Sequence, residues 1–94
     1  GVRVEPEEAE AMLRRDPRVT DAAVIVRPDP GGDRLHGFVA VSGTPEPGLP
    51  ALLRERLAAT LPAVAVPATI TILGRLPTMP GGKIDLRALA DRSD

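Results

Sequence analysis

The sequence predicts an α+β domain with helices packed on a small mixed sheet, and three patterns predict it. The apolar run Ala22-Ala23-Val24-Ile25-Val26 is followed by the turn formers Asp29-Pro30-Gly31-Gly32-Asp33 and a second extended stretch ending at Val41, the pattern of two strands joined by a hairpin. Two segments, from about Pro6 to Arg15 and from Leu49 to near Thr60, place apolar residues at helical spacing. Thr69-Ile70-Thr71-Ile72-Leu73 alternates β-branched residues as a strand does. With a short Val2-Arg3-Val4 alternation at the start and a final short helix, Leu86 to Ala90, for which Asp85 is the cap, the order is β-α-β-β-α-β-α, two helices lying against one face of the sheet.

Each element has its own local cause. Pro6 suits a first helical turn, where its missing N–H costs nothing. Ala9, Met12 and Leu13 then share one face, with glutamates crowding the positive end of the helix dipole and Arg14 and Arg15 the negative end. That charge order reads as a stability device, since no histidine or paired carboxylate faces the glutamates in sequence. Asp16-Pro17 stops the helix, and Val19 to Val26 follows as a strand. In the returning strand, Arg34 to Val41, alternate residues such as Leu35, Phe38 and Ala40 turn toward a core. His36, the single histidine, has no ligand-spaced partner, reads as a surface or edge residue and is assigned no role. The stretch from Ser42 to Pro50 is a linker, too poor in glycine to cradle a phosphate. Leu49, Leu52, Leu53 and Leu57 mark the apolar stripe of the second helix, and Arg54 and Arg56 lie off it, on an expected solvated face.

Composition narrows the function classes. The 94 residues suit one domain with a modest core built from Leu, Val, Ala and Ile, because the chain has one Phe and neither Tyr nor Trp. A formal charge of −1 gives no electrostatic footprint for nucleic acid or membrane. The absence of cysteine excludes disulfides and thiolate metal sites and suits a reducing compartment. No apolar run approaches the ~20 residues of a membrane-spanning helix, the acidic start does not resemble a signal peptide, and the expected location is the cytoplasm. No metal site is expected.

The chemistry concentrates in the stretch from Gly74 to Leu89. Pro77 and Pro80 stiffen the approach, Gly81 and Gly82 offer positive φ, and the only lysine, Lys83, stands immediately beyond them. Eleven arginines supply the other basic side chains, so a lysine is kept at one place. There a compact ammonium can reach a phosphate or carboxylate where a planar guanidinium fork would not fit. The alternative is a solvated lysine in an ordinary Pro/Gly turn.

The stretch Leu76-Pro77-Thr78-Met79-Pro80-Gly81-Gly82-Lys83-Ile84-Asp85, continued by Leu86-Arg87-Ala88-Leu89, resembles the last core motif of adenylate-forming enzymes, usually L-P-x-T-P-N-G-K-[IV]-D-R-x-A-L. Gly1-Val2-Arg3-Val4-Glu5 with Glu8 and Glu10 is similar to that superfamily's G-x-R-I-E-x-x-E-I-E, and Leu61-Pro62 with Val66-Pro67 falls where it has L-P-x-Y-M-V-P. Three matches in order cover nearly the whole chain. They resemble most closely the C-terminal small subdomain of a nonribosomal peptide synthetase adenylation domain, within the superfamily of acyl-CoA synthetases and luciferases.

The resemblance implies that residues 1–94 form the mobile lid of such an enzyme, without the upstream hinge and the large subdomain that mainly holds ATP and Mg²⁺. It implies activation of a carboxylic acid, such as an amino acid, to an acyl-adenylate, followed by thioester formation on the phosphopantetheine arm of a carrier protein domain. Lys83 would be the catalytic cation, Gly81 and Gly82 its ATP and substrate loop, and Gly1, Val2 and Arg3 a segment lining the pantetheine channel. The isolated chain is not expected to be active. The departures are Gly81 in place of the usual Asn, Val64-Ala65 in place of Tyr-Met, and no Pro-rich linker after Leu89.

Two rivals belong to other classes. The βαββαβ order is shared with RNA-binding domains, but base stacking on such a sheet needs exposed aromatics and Phe38 is the only one. The other rival is a noncatalytic structural or docking subdomain of the same fold.

Overall fold

The structure, a computed structural model, describes residues 6–92. The strand expected at Val2-Arg3-Val4 and the segment Gly1, Val2 and Arg3 lie outside the described residues. Within them the order is α1 (Pro6–Arg15), β1 (Val19–Asp29), β2 (Gly32–Val41), α2 (Leu49–Thr60), a 3₁₀ turn (Ala63–Ala65), β3 (Thr69–Leu73) and α3 (Leu86–Ala90). None of these helices is long and apolar enough to cross a membrane.

The sheet is mixed, with β2 in the middle, antiparallel to β1 and parallel to β3. The β1–β2 hairpin is tighter than the sequence suggested. Asp29 pairs with Gly32 across Pro30-Gly31, and Gly32 takes the positive φ of 118° that a short reversal requires. A parallel neighbour needs a crossover, which α2 supplies between β2 and β3.

Because β2 is central, Leu35 through Ala40 are all buried and their alternate residues feed two cores. Leu35 and Val39 join Ala9 and Leu13 of α1, Ala22 and Val24 of β1, Ile70 of β3, and Leu49, Leu53 and Leu57 of α2. The two long helices therefore share one face, as expected. Phe38 and Ala40 join Ala23, Ile25, Leu76 and Leu89 on the opposite face, with Leu73 and Ile84 packed against them. That second face is covered by the lysine loop and α3. The loop is thus part of the fold's second layer, with apolar anchors on either side of the lysine.

One sequence expectation is corrected and another is extended. His36 is buried in the central strand: its Nδ1 lies 2.9 Å from Thr69 Oγ1 and its Nε2 3.3 Å from Asp29 Oδ2. A polar ring at such a position is retained because both nitrogens find partners. Arg54 and Arg56 are exposed, as expected, and each also makes a contact that the sequence did not reveal. Arg54 Nε donates to the Pro67 carbonyl at 3.1 Å, and Arg56 Nη1 donates to Asp16 Oδ2 at 3.0 Å.

Asp16 gathers more donors than its helix-stopping position suggested. Its carboxylate also accepts from the Arg18 backbone N–H (2.9 Å), Arg18 Nε (3.0 Å) and Arg18 Nη2 (2.8 Å). One buried carboxylate thereby ties the end of α1 to α2.

Candidate active-site loop

The loop around Lys83 is a small hairpin held by backbone bonds. Asp85 N–H donates to the Pro77 carbonyl (2.8 Å), Met79 N–H to the Lys83 carbonyl (2.7 Å), and Gly82 N–H to the Met79 carbonyl (2.8 Å), while Thr78 and Ile84 form an antiparallel bridge. Pro80 occupies the second position of the turn, where its fixed φ is favourable. Gly82 then takes φ 92°. This is a turn followed by a left-handed glycine, the usual construction of a three-residue hairpin loop.

Gly81 and Gly82 are therefore not equivalent, which corrects the expectation that both supply positive φ. Only Gly82 does so. A Cβ at Gly81 would have open space around it, so an L-residue such as the superfamily's Asn fits there. Gly81→Ala should raise stability by about 0.4–1 kcal/mol by restricting the unfolded chain. Gly82→Ala should lower it by ~1–2 kcal/mol through left-handed strain. Urea denaturation midpoints of the two variants check both signs.

The hairpin is anchored at each end. Leu76 is buried before it, Ile84 packs on the second core after it, and Asp85 turns the chain into α3 by accepting the Ala88 N–H on Oδ1 at 3.0 Å. That N-cap was legible in the sequence. The other end of α3 was not: Arg27 Nη2 reaches from β1 to the carbonyls of Leu89 (3.3 Å), Ala90 (3.3 Å) and Arg92 (3.4 Å). A cation at a helix C-terminus satisfies carbonyls that the helix itself leaves open.

Lys83 is exposed, and among the described residues no carboxylate forms an ion pair with it. With Gly82, Ile84 and Leu86 it lines an open groove of about 410 Å³, whose other side is formed by Glu10 and Arg14 of α1 and Asp21 and Ala23 of β1. The sequence reading missed this second side. Its one available signal was the Glu10/Arg14 spacing of four on a helix. Arg14 Nη1 lies 2.9 Å from Asp21 Oδ1, and Arg14 Nη2 lies 3.4 Å from Glu10 Oε1 and donates to the Ala22 carbonyl at 2.7 Å.

This arrangement can present one ammonium to an anion brought from outside. Among the described residues its groove mixes two carboxylates with two cations. Among the described residues no three His, Asp or Glu side chains come together to hold a metal ion. Of the sequence-predicted site residues, the structure brings together Gly81, Gly82 and Lys83; Gly1, Val2 and Arg3 lie outside the described residues.

Comparison with known proteins agrees with this fold. Residues 8–83 match the family model described as the AMP-binding enzyme C-terminal domain. The chain is 43% identical over 90 residues to an isonitrile lipopeptide synthase of Streptomyces coeruleorubidus, covering 96% of this chain and 6% of that protein. It is 44% identical over 90 residues to a dimodular nonribosomal peptide synthase of Bacillus subtilis, covering 95% of this chain and 4% of that protein. The solved amide bond synthetase McbA from Marinactinospora thermotolerans superposes with a TM-score of 0.84 at 30% identity, over 93% of this chain and 18% of McbA. The chain thus spans a small part of each protein it matches. It belongs to the AMP-binding enzyme C-terminal domain family, as a C-terminal subdomain of the adenylate-forming superfamily similar to those of nonribosomal peptide synthetases.

Proposed function

We propose that this chain is the lid of an adenylate-forming enzyme and delivers Lys83 to an active site held by a larger subdomain. The observation that carries the reading is the placement of the only lysine: exposed, without an ion-pair partner among the described residues, and set on a backbone-braced hairpin. Family membership gives that placement its context.

In the proposed reaction a carboxylate oxygen attacks the α-phosphorus of ATP. The new P–O bond forms as the bond to the bridging oxygen of pyrophosphate breaks, leaving an acyl-adenylate. Two anions approach each other in this step, so an ammonium between the carboxylate and the α-phosphate offsets their repulsion and stabilises the charge of the transition state. The residue of this chain that would touch the reacting oxygens is Lys83, with Gly81 and Gly82 shaping its approach. Mg²⁺ and the nucleotide would be held mainly by the larger subdomain, the metal serving to neutralise phosphate charge. In the proposed second step Gly1, Val2 and Arg3 would line the path of a carrier's phosphopantetheine, which would supply a thiolate to form the C–S bond of a thioester as the acyl C–O bond to AMP breaks. Dependence on ATP suits the cytoplasm.

ATP–pyrophosphate exchange by the cognate large subdomain, measured with and without this chain, tests the reading. Exchange that requires the chain supports it. Exchange indifferent to the chain would favour a docking subdomain without a chemical role.

A further inference from the structure

We infer that Arg14 is a positioning residue for Lys83: by holding Glu10 and Asp21, it prevents the two carboxylates in the lysine's own groove from capturing the ammonium. The inference rests on the adenylation role proposed above and adds to it a residue from the opposite side of the groove.

The geometry is specific. Among the described residues, four charged side chains line the groove, Glu10, Asp21, Arg14 and Lys83, two of each sign. Arg14 lies 2.9 Å from Asp21 through Nη1 and 3.4 Å from Glu10 through Nη2, and Nη2 is further fixed by the Ala22 carbonyl at 2.7 Å. A planar guanidinium can serve acceptors on two elements at once, which a single ammonium cannot do with the same fixed geometry. The result is an asymmetric division: one cation is spent on both carboxylates and the other is left over.

Removing Arg14 would upset that division. Glu10 and Asp21 would face each other uncompensated, with Lys83 the remaining cation lining the groove. An ammonium drawn onto them would be turned toward its own subdomain, and its positive charge would be partly cancelled before any phosphate arrived. Electrostatic assistance depends on a donor already aimed at the developing charge, so such capture would slow adenylation without removing the lysine.

Arg14 also braces α1 against β1 through Ala22, and a purely structural role must be separated from this one. Because Lys83 is the only lysine, its reaction with a neutral acetylating reagent at fixed pH, resolved from the N-terminal amine by peptide mass spectrometry, reports its freedom directly. In the 94-residue chain, Arg14→Gln should slow Lys83 acetylation about 2- to 5-fold, the range expected for a newly formed surface ion pair. Adding Asp21→Asn should restore the rate. Should the Gln variant lose its circular-dichroism signature of folding, Arg14→Met, which keeps an unbranched stem of similar length on α1 facing β1, takes its place. Wild-type acetylation in the Arg14 variant, or no recovery in the double variant, would overturn the proposal.

Pyrophosphate exchange with the large subdomain supplied should follow the same order, falling in Arg14→Gln and recovering in the double variant. The two readings fail separately. If Lys83→Ala leaves exchange intact, the adenylation role falls whatever Arg14 does to acetylation; if Lys83→Ala abolishes exchange and Arg14→Gln changes neither rate, only the role of Arg14 falls.

Discussion

Lys83→Ala should lower ATP–pyrophosphate exchange by about 10²–10³-fold while leaving the thermal unfolding of the chain unchanged. The size follows from losing one preorganised charge aimed at a transition state, typically ~3–4 kcal/mol. The unchanged stability follows from the structure: the side chain is exposed, forms no ion pair among the described residues, and sits on a hairpin held by backbone bonds that alanine would keep. Lys83→Arg should recover only part of the rate, because a guanidinium keeps the charge but not the compact shape. Single-turnover adenylation locates the defect: loss in the chemical step agrees with the proposed role, whereas a loss confined to the affinity for ATP would point to simple binding. Full activity in Lys83→Ala would remove the lysine from the mechanism.

The largest effect on stability is expected at Asp16. The hydrogen bonds from Arg18, helped by the nearby charges of Arg18 and Arg56, outweigh the opposing effect of burial and hold its carboxyl down from the ordinary 3.8 to about 2. Each tenfold change in acid dissociation corresponds to ~1.4 kcal/mol, so this depression couples about 2 kcal/mol to folding. The sign is that of a depressed carboxylate. The contribution is complete above pH 3.8, where the unfolded carboxyl is also ionised, and is lost as pH falls from there through about 2. Asp16→Ala should therefore cost about 2–3 kcal/mol at neutral pH, somewhat more than the ionic part, because it also strands Arg18 and Arg56. For a chain of this size the melting temperature should fall by ~10–20 °C. The difference between wild type and variant should narrow toward pH 2; a difference constant from pH 7 to pH 2 would show that the carboxylate's charge is not what ties the helices.

What the sequence could reveal was set by distance along the chain. Spans governed by local periodicity came through: the helices at 6–15 and 49–60, the strand at 69–73, and the cap at Asp85 are all consequences of neighbours within a few residues. The turn before Lys83 was equally readable, because Pro80 fixes its own φ and the glycines beside it permit a reversal. Features made by distant partners were not. Arg56 is exposed as expected, but nothing in the sequence set it beside a carboxylate forty residues earlier, and Arg27 gives no hint that α3 will end against it. His36 was misread for the same reason, since its partners are a hairpin aspartate and a threonine on the far strand. The acidic side of the lysine's groove needed both α1 and β1 in place before Glu10 and Asp21 became neighbours of the loop. Gly81 and Gly82 show a finer limit. Adjacent glycines are identical as letters, and only the closed ladder of backbone bonds distinguishes the one that needs its freedom.

The bracing of the lysine hairpin also says how Lys83 can travel. A turn closed by its own rungs, pinned at Leu76 before it and Leu89 after it, has no joint of its own. Its backbone is geared to the sheet, so a large displacement of the ammonium carries β1, β2 and β3 along. In the proposed adenylation, arrival and withdrawal at a partner's active site would then be a rotation of one rigid lever, with the pivot outside the loop. Loosening the hairpin would make the lysine more mobile and would also uncouple it from the proposed rotation.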